Sequence, residues 1–309
     1  AGTASVTISN GTVTLDEVEV SANAFLGTEF GQNVGSINGM SAGTNTGGTA
    51  NLSVAGGTLT ANRANVTSTA VGVGQQRTDV NDVTENSAIE QALAGGGGSG
   101  GYATFAISGG SANFSETLLV DASGRGGNGY INADSFVTQP ISAGAGGAGA
   151  GGNASLNVTG GLLTVPTVDL RSEGTGGNGG DFWGLNAGDA GGGGNGTGGS
   201  SNFTASQDIF SINALTLSSL GRGGSGGVSA EPQFDTNFAG YGDGAATGGA
   251  GGTGRGGRAS LLLDFDPVLA SLIIDTSGIG GAGNLGLIGG AGGNGFGGFA
   301  DSTAPDFST

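Results

Sequence analysis

The sequence predicts an all-β protein: a right-handed parallel β-helix of six repeats of about 50 residues, with stacked glycine-rich arms. Short blocks of alternating apolar and polar residues recur at spacings of 46, 53, 51, 47 and 58 residues, and long glycine tracts separate them. One such unit cannot bury its apolar face alone, whereas stacked neighbours can. The blocks begin at Ala4, Ala50, Ala103, Ala154, Ser201 and Ala259.

The fourth repeat illustrates how one turn of the solenoid is predicted. Residues 154–158 alternate apolar and polar side chains, which is typical of a half-buried strand. Gly160 and Gly161 can adopt backbone angles closed to other residues, so the chain is expected to turn a corner there. Two further short strands follow in residues 163–170, separated by Pro166. Three parallel strands joined by corners form one turn, which is expected to be right-handed.

The glycine tracts predict the arms. Residues 144–152, 248–257 and 289–298 run in rough Gly-Gly-X triplets. A period of three is that of the polyproline II helix, which has no internal hydrogen bonds. The backbone groups of such a thread need partners on neighbouring threads, and glycine allows those threads to approach closely. We therefore expect each tract to run out and back and to stack with its neighbours as polyglycine II arms.

The repeats define a single elongated domain over residues 1–309. A solenoid grows by adding repeats, so its length does not require a division into globular domains. The chain begins at Ala1 without a recognisable signal peptide, and we expect a mature form or a fragment. The predicted repeats are 1–48, 49–101, 102–152, 153–199, 200–257 and 258–309.

Composition excludes several classes of function. The net charge is −17, with 24 acidic residues and seven basic residues, all of them arginine. Nucleic acid needs clustered positive charge, so it is not expected as a partner. Histidine and cysteine are absent, which removes the commonest metal ligands, and no cofactor is predicted. No apolar run reaches the ~18 residues of a membrane-spanning helix.

The alternating blocks and the Gly-Gly corners resemble the β-helical passenger regions of bacterial autotransporter and haemagglutinin-type adhesins. The Gly-Gly-X tracts look like the polyglycine II bundles of certain phage tail adhesins and of glycine-rich antifreeze proteins. The two resemblances together cover the whole chain. They rest on the general residue pattern and on the repeat length. They imply a secreted or surface-exposed protein that is not an enzyme.

Two aspartates suggest an enzymatic alternative. Asp264 and Asp266 are two residues apart and share one face of a predicted strand, and β-helical polysaccharide hydrolases and lyases carry clustered acids on such a face. Leu261, Leu263 and Phe265 occupy the opposite face, so a solvated outer pair is the simpler interpretation. Paired acid and base catalysis also requires a cleft and separated pKa values, which the sequence does not indicate.

Three other sequence patterns could indicate binding sites. Asp16, Glu17 and Glu19 could contribute oxygen ligands to calcium, although such a run is usually a solvated face. The loops 124–129 and 221–226 resemble phosphate loops but lack the Lys-Ser/Thr ending, so a structural role is expected. Outward Thr-x-Thr pairs at residues 12–14 and 58–60 would suit an ice-binding face, but the pattern fails in later repeats.

These observations predict an extracellular, non-enzymatic structural or adhesive protein at a microbial cell surface. Host-surface or glycan receptors are possible partners. The predicted first and last turns lack an amphipathic helix or a polar repeat that would cap them, and unpaired strand edges can pair with another chain. We therefore expect subunits to stack head to tail. The alternatives are a polysaccharide-acting enzyme and an ice-binding protein.

Overall fold

The structure of the protein, a computed structural model, describes residues 2–25, 43–74, 94–129, 142–183, 188–206, 210–230, 247–264, 269–286 and 288–303. These residues form strands and no helix, so none of them belongs to a helix that could cross a membrane. The strand pairs are parallel. The predicted all-β, parallel and solenoid-like architecture is confirmed, and it is compatible with a parallel β-helix.

Twenty-six strands are assigned in the described ranges. The first thirteen are β1 (Thr3–Ile8), β2 (Thr12–Thr14), β3 (Glu17–Ser21), β4 (Ala24–Phe25), β5 (Asn45–Thr46), β6 (Thr49–Val54), β7 (Thr58–Thr67), β8 (Ala70–Val71), β9 (Gly98–Ser99), β10 (Tyr102–Asp121), β11 (Gly124–Arg125), β12 (Gly149–Ala150) and β13 (Asn153–Arg171). The others are β14 (Gly174–Thr175), β15 (Phe182–Trp183), β16 (Gly196–Thr197), β17 (Ser200–Ala205), β18 (Phe210–Ser218), β19 (Gly221–Arg222), β20 (Ser229–Ala230), β21 (Gly254–Arg255), β22 (Arg258–Leu263), β23 (Ser271–Asp275), β24 (Gly278–Ile279), β25 (Gly295–Phe296) and β26 (Phe299–Thr303).

The largest sheet stacks the opening strand of each turn in the order β1-β6-β10-β13-β17-β22-β26. We call this surface the first face. Its register never shifts, and the pairs Ala4–Ala50, Ala50–Ala103 and Ala103–Ala154 are successive steps of one column. The path contains seven strands, and β26 lies inside the segment predicted as the sixth repeat.

The rest of each turn forms two more faces. The second face begins with β2 and the third with β3, and both pair with β7. β10 and β13 run through all three faces as continuous strands of 20 and 19 residues, where the sequence predicted three short strands. The corners appear instead as register shifts within these strands, because a local irregularity can bend a strand without ending it. The predicted corner at Gly161 is confirmed by its φ of 77°, and Gly11, Gly57 and Gly110 occupy equivalent positions.

The core is a set of columns that run along the stack. Leu52, Phe105, Leu156 and Phe203 occupy successive steps of one column, and each is fully buried. The ring of Phe105 also packs edge-on against Phe114 of the second face, with 5.8 Å between ring centroids. The period-two alternation of the sequence therefore places apolar side chains inside and polar side chains outside, as a half-buried strand requires.

The glycine tracts form two further sheets beside the main one. The outgoing threads stack in the order β4-β8-β11-β14-β19-β24, and the returning threads in the order β5-β9-β12-β16-β21-β25. In the fourth turn, the N–H groups of Gly176 and Gly179 donate to the next outgoing thread, and those of Gly177 and Gly180 donate to the preceding returning thread. Hydrogen-bond direction therefore repeats every third residue, as expected for a thread with three residues per turn.

Candidate functional surfaces

The outer surface of the first face is polar and carries little charge. The first-face segments of β1, β6, β10, β13 and β17 contain no charged residue, although the whole chain carries −17. Parallel strands lie about 4.8 Å apart, so hydroxyl and amide groups recur at that interval along the stack. We call seven half-buried outer side chains the polar face: Asn51, Ser53, Thr104, Ser155, Asn157, Asn202 and Thr204.

Neighbouring side chains order part of this surface. Asn153, at the edge of the polar face, accepts hydrogen bonds at its Oδ1 from Ser155 Oγ at 2.7 Å and from Asn202 Nδ2 at 3.5 Å. Tyr102 lies in the same outer column as Asn153, and 62% of its surface is exposed. The polar face therefore offers donors, acceptors and one aromatic ring to an uncharged polar ligand.

The structure describes only one of the two aspartates in the candidate catalytic pair. Asp264 is exposed directly after β22, and its N–H donates to the carbonyl of Ala205 at 3.2 Å. Asp266 lies outside the described residues. The buried Leu261 and Leu263 occupy the inner side of β22, which agrees with the predicted alternation.

The candidate calcium ligands of the first turn are held by side chains of the second turn. Asn62 donates its side-chain amide to Asp16, and Asn65 donates to Glu17 at 2.8 Å. Glu19 instead lines a depression at the N-terminal end of the stack, together with Thr3 and Phe25. No group of three or more acidic, His or Cys residues is placed to hold a metal ion within the described ranges.

The Thr-x-Thr pairs lie in register on the second face. Thr12 pairs with Thr58 and Thr14 pairs with Thr60. The next step of the first column is Ser111, whose hydroxyl donates to Thr58 Oγ1 at 3.2 Å, and the step after that is Leu162. The threonine array therefore spans two turns before other residue types replace it.

The two glycine–arginine loops both open outgoing threads. Gly124–Arg125 is β11 and Gly221–Arg222 is β19, and both pair with β14. A Cβ atom on Gly124 or Gly221 would lie 2.0 or 1.8 Å from a carbonyl oxygen of a returning thread. These glycines are therefore positions of close backbone packing within the arms.

Two aspartates occupy equivalent corners where the third face leads into an arm. Asp121 and Asp275 each accept a hydrogen bond at Oδ1 from the N–H group two residues ahead, at 2.8 and 2.9 Å. Burial raises the pKa of Asp121, although hydrogen bonds from Ser123 oppose that effect. Hydrogen bonds from Ser277 lower the pKa of the more exposed Asp275.

These opposite shifts predict opposite pH effects on stability. A raised folded-state pKa means that the ionised Asp121 costs stability at neutral pH, and this cost disappears below the unfolded pKa. Asp121→Asn should therefore raise the melting temperature at pH 7 and leave it unchanged near about pH 3. Asp275→Asn, its matched control, should lower the melting temperature at pH 7, with a smaller effect in acid. Equal shifts in the same direction for both variants would contradict this assignment.

Large exposed apolar side chains concentrate at the two ends of the stack. At the N-terminal end, Val6 and Phe25 are 41% and 64% exposed, although Val6 belongs to the buried column of Leu52. At the C-terminal end the exposed set is Leu272, Ile273, Ile279, Leu285, Ile288, Phe296 and Phe299. Apolar patches of this kind typically mark interaction sites.

The polar face and the two ends are thus the surfaces that could engage a partner. None of these three surfaces contains a recognisable catalytic arrangement among the residues that the structure describes. Comparison with known proteins finds no family model, no curated protein and no solved structure that matches this chain.

Proposed function

We propose that this chain is a non-enzymatic structural and adhesive protein of the extracellular space or a microbial cell surface. Its scaffold would be a right-handed parallel β-helix of six predicted repeats, with the arms forming a polyglycine II bundle. The observation that carries this proposal is the unbroken ladder of parallel strands from β1 to β26, flanked by two ladders of glycine threads. Extension of such a body would have to break many backbone hydrogen bonds together.

The polar face supports the adhesive part of the proposal. Neutral glycans present hydroxyl groups in quantity, and the polar face presents hydroxyl and amide groups without charges that would need a counter-ion. The acidic residues that the structure describes lie outside the polar face, and the net charge of −17 would keep the protein soluble and discourage contact with anionic surfaces. A glycan or host-surface receptor is therefore the proposed partner of the polar face.

Binding to an array of immobilised neutral glycans tests this partner. The double variant Asn51→Asp/Asn157→Asp places two charges on the polar face without changing side-chain shape. We expect it to weaken binding by about tenfold or more, because a charge buried in a neutral interface is not compensated. The control Asn128→Asp/Asn195→Asp adds the same charge on the arms, where the Oδ1 atoms accept backbone hydrogen bonds that aspartate retains. Equal losses for both variants, or no binding by the parent protein, would overturn the proposal.

Head-to-tail self-association is the second part of the proposal. The exposed apolar residues at both ends support it, since stacking would bury them. Negative-stain electron microscopy over a concentration series, with and without a chelator, should show rods that lengthen with concentration. Lengthening that the chelator abolishes would show that a divalent cation takes part in assembly.

Ice binding is the competing function that a specific observation favours, namely the register of Thr12 with Thr58 and of Thr14 with Thr60. A flat array of threonines would contact ice through methyl and hydroxyl groups. Thermal hysteresis that Thr58→Lys removes would establish this function in place of adhesion. An ordinary freezing point for the parent protein would exclude it.

A further inference from the structure

Six Asn-Gly pairs occur along the chain, at Asn10, Asn38, Asn128, Asn178, Asn195 and Asn294. In such a pair the backbone nitrogen of the glycine can attack the side-chain carbonyl carbon of the asparagine, because glycine leaves the backbone free to bring the two atoms together. Asparagine is for this reason among the thermally labile residues. In a folded chain, the outcome depends on how firmly the surrounding structure holds the two reacting groups.

Three of these pairs lie in the arms, and the next thread holds both of their reacting groups. The glycine N–H donates to a carbonyl oxygen of that thread, at 2.8 Å for Gly129, 2.9 Å for Gly179 and 2.8 Å for Gly196. The asparagine Oδ1 accepts a backbone N–H from the same thread, at 3.0 Å for Asn128, 3.0 Å for Asn178 and 2.9 Å for Asn195. Attack on the side chain would therefore require both hydrogen bonds to break and two threads to separate.

The pair Asn10–Gly11 has neither restraint. It forms the corner between β1 and β2, and both residues are exposed. Within the described part of the chain, neither the Gly11 N–H nor the Asn10 side chain takes part in a hydrogen bond. The Gly11 carbonyl, in contrast, accepts the N–H of Thr58 at 2.8 Å, which anchors the glycine to the second turn. An unbonded backbone nitrogen therefore lies next to an exposed side-chain amide.

The unbonded nitrogen is a property of this corner and not of the first turn alone. Gly57 forms the same corner one turn later, with a φ of 76° against 78° for Gly11. Strands pair with β7 on both of its sides, and still the Gly57 N–H donates to no group in the described ranges. In that turn the residue before the corner is Gly56, which has no side chain to attack. The asparagine is therefore what makes the corner of the first turn reactive.

We propose that Asn10 is a site of spontaneous deamidation in the folded protein, and that the packing of the arms protects Asn128, Asn178 and Asn195. The Gly11 nitrogen attacks Cγ of Asn10 and gives up its proton to water, and the side-chain nitrogen leaves as ammonia. Water then opens the five-membered succinimide ring at either carbonyl carbon, which yields aspartate or isoaspartate. Water is the only co-reactant, and the step is independent of adhesion and of self-association.

The two products differ in their effect on the corner. Both add one negative charge at residue 10, but isoaspartate also carries the backbone through the former side chain and lengthens it by one carbon atom. The longer backbone would displace Gly11, whose carbonyl is bonded to Thr58 at the start of β7. The isoaspartate form should therefore melt at a lower temperature than Asn10→Asp, which has the same charge and an ordinary backbone.

A time course in mildly alkaline buffer tests this assignment on the folded full chain, with tandem mass spectrometry to locate each converted amide. We expect Asn10 to lose its amide at least about tenfold faster than the three arm asparagines, because hydrogen bonds that hold both reacting groups must break first in the arms. The same time course in denaturant is the control and should bring the four rates close together. Asn38 lies outside the described residues, and Asn294 borders only one described thread, so neither is a matched control.

Asn10→Gln provides a matched variant for the reactive site. It keeps the amide but places it one carbon atom farther from the backbone, which disfavours the five-membered ring, so conversion at this position should stop. Because the side chain is exposed, the melting temperature should not change. The inference would be overturned if Asn10 kept its amide in the folded chain while reacting in denaturant. Arm asparagines that react as fast as Asn10 in the folded chain would also overturn it.

Discussion

Phe105→Ala should destabilise the protein by about 3–5 kcal/mol, the usual cost of removing a fully buried phenylalanine. Phe105 is completely buried in the middle of the stack, between Leu52 and Leu156, and its ring packs edge-on against Phe114. Turns above and below hold the backbone in place, so the cavity cannot collapse fully. Denaturant unfolding followed by circular dichroism would measure the loss.

Thr104→Ala provides the control for this prediction. Thr104 precedes Phe105 on the same strand, but its side chain lies half-buried on the polar face. Its removal should change the free energy of unfolding by no more than about 0.5 kcal/mol. If the two variants lost equal stability, or if Phe105→Ala were neutral, the alternation that assigns inside and outside on the first face would be wrong.

The alternation itself was readable in the sequence because it follows from strand geometry. Successive side chains of a strand point to opposite sides, so Ala154, Leu156 and Val158 had to share one side and Ser155 and Asn157 the other. The corner at Gly161 was equally predictable, since a φ of 77° strongly favours glycine. Such local constraints fix the strands and the corners without knowledge of their partners.

Features that depend on neighbouring turns were not predictable in the same way. β26 has the sequence Phe-Ala-Asp-Ser-Thr, which lacks a second apolar residue at the inner position, and only its pairing with β22 identifies it as a strand. The continuity of β10 and β13 through their corners likewise depends on ladders to adjacent turns. Sequence periodicity marks the segments that can pair but does not show where each ladder ends.

For the candidate sites too, the sequence identified residues but not the contacts that they make with other turns. Asp16 and Glu17 were identifiable as an acidic run, but their hydrogen bonds to Asn62 and Asn65 connect residues 46 and 48 positions apart. The residues of the polar face are unremarkable within any one repeat, and they become one surface only when the four strands β6, β10, β13 and β17 align.

Alanine substitutions at two adjacent glycines of one returning thread should have opposite outcomes. A Cβ atom on Gly193 would lie 1.9 Å from the carbonyl oxygen of Gly224, so the next outgoing thread must move away. Gly193→Ala should therefore cost about 1–3 kcal/mol or more, as overpacking does in a dense interior. A Cβ atom on Gly192 would lie 3.6 Å from its nearest neighbour, which is an ordinary contact distance. Gly192→Ala should therefore be neutral, or stabilise the protein by about 0.4–1 kcal/mol because alanine lowers the conformational entropy of the unfolded chain.

The contrast extends along the thread with a period of three. A Cβ atom on Gly191 or Gly194 would lie 2.0 Å from a carbonyl oxygen, so their alanine variants should resemble Gly193→Ala. Of the four glycines, only Gly192 should tolerate the methyl group. Melting temperatures of the four single variants would measure this pattern. Uniform tolerance would mean that the threads are loosely associated, and the arms could then not stiffen the stack. Uniform intolerance would mean that the thread is packed on all three of its sides. That result would contradict the structure, in which the side of the thread that carries Gly192 is open.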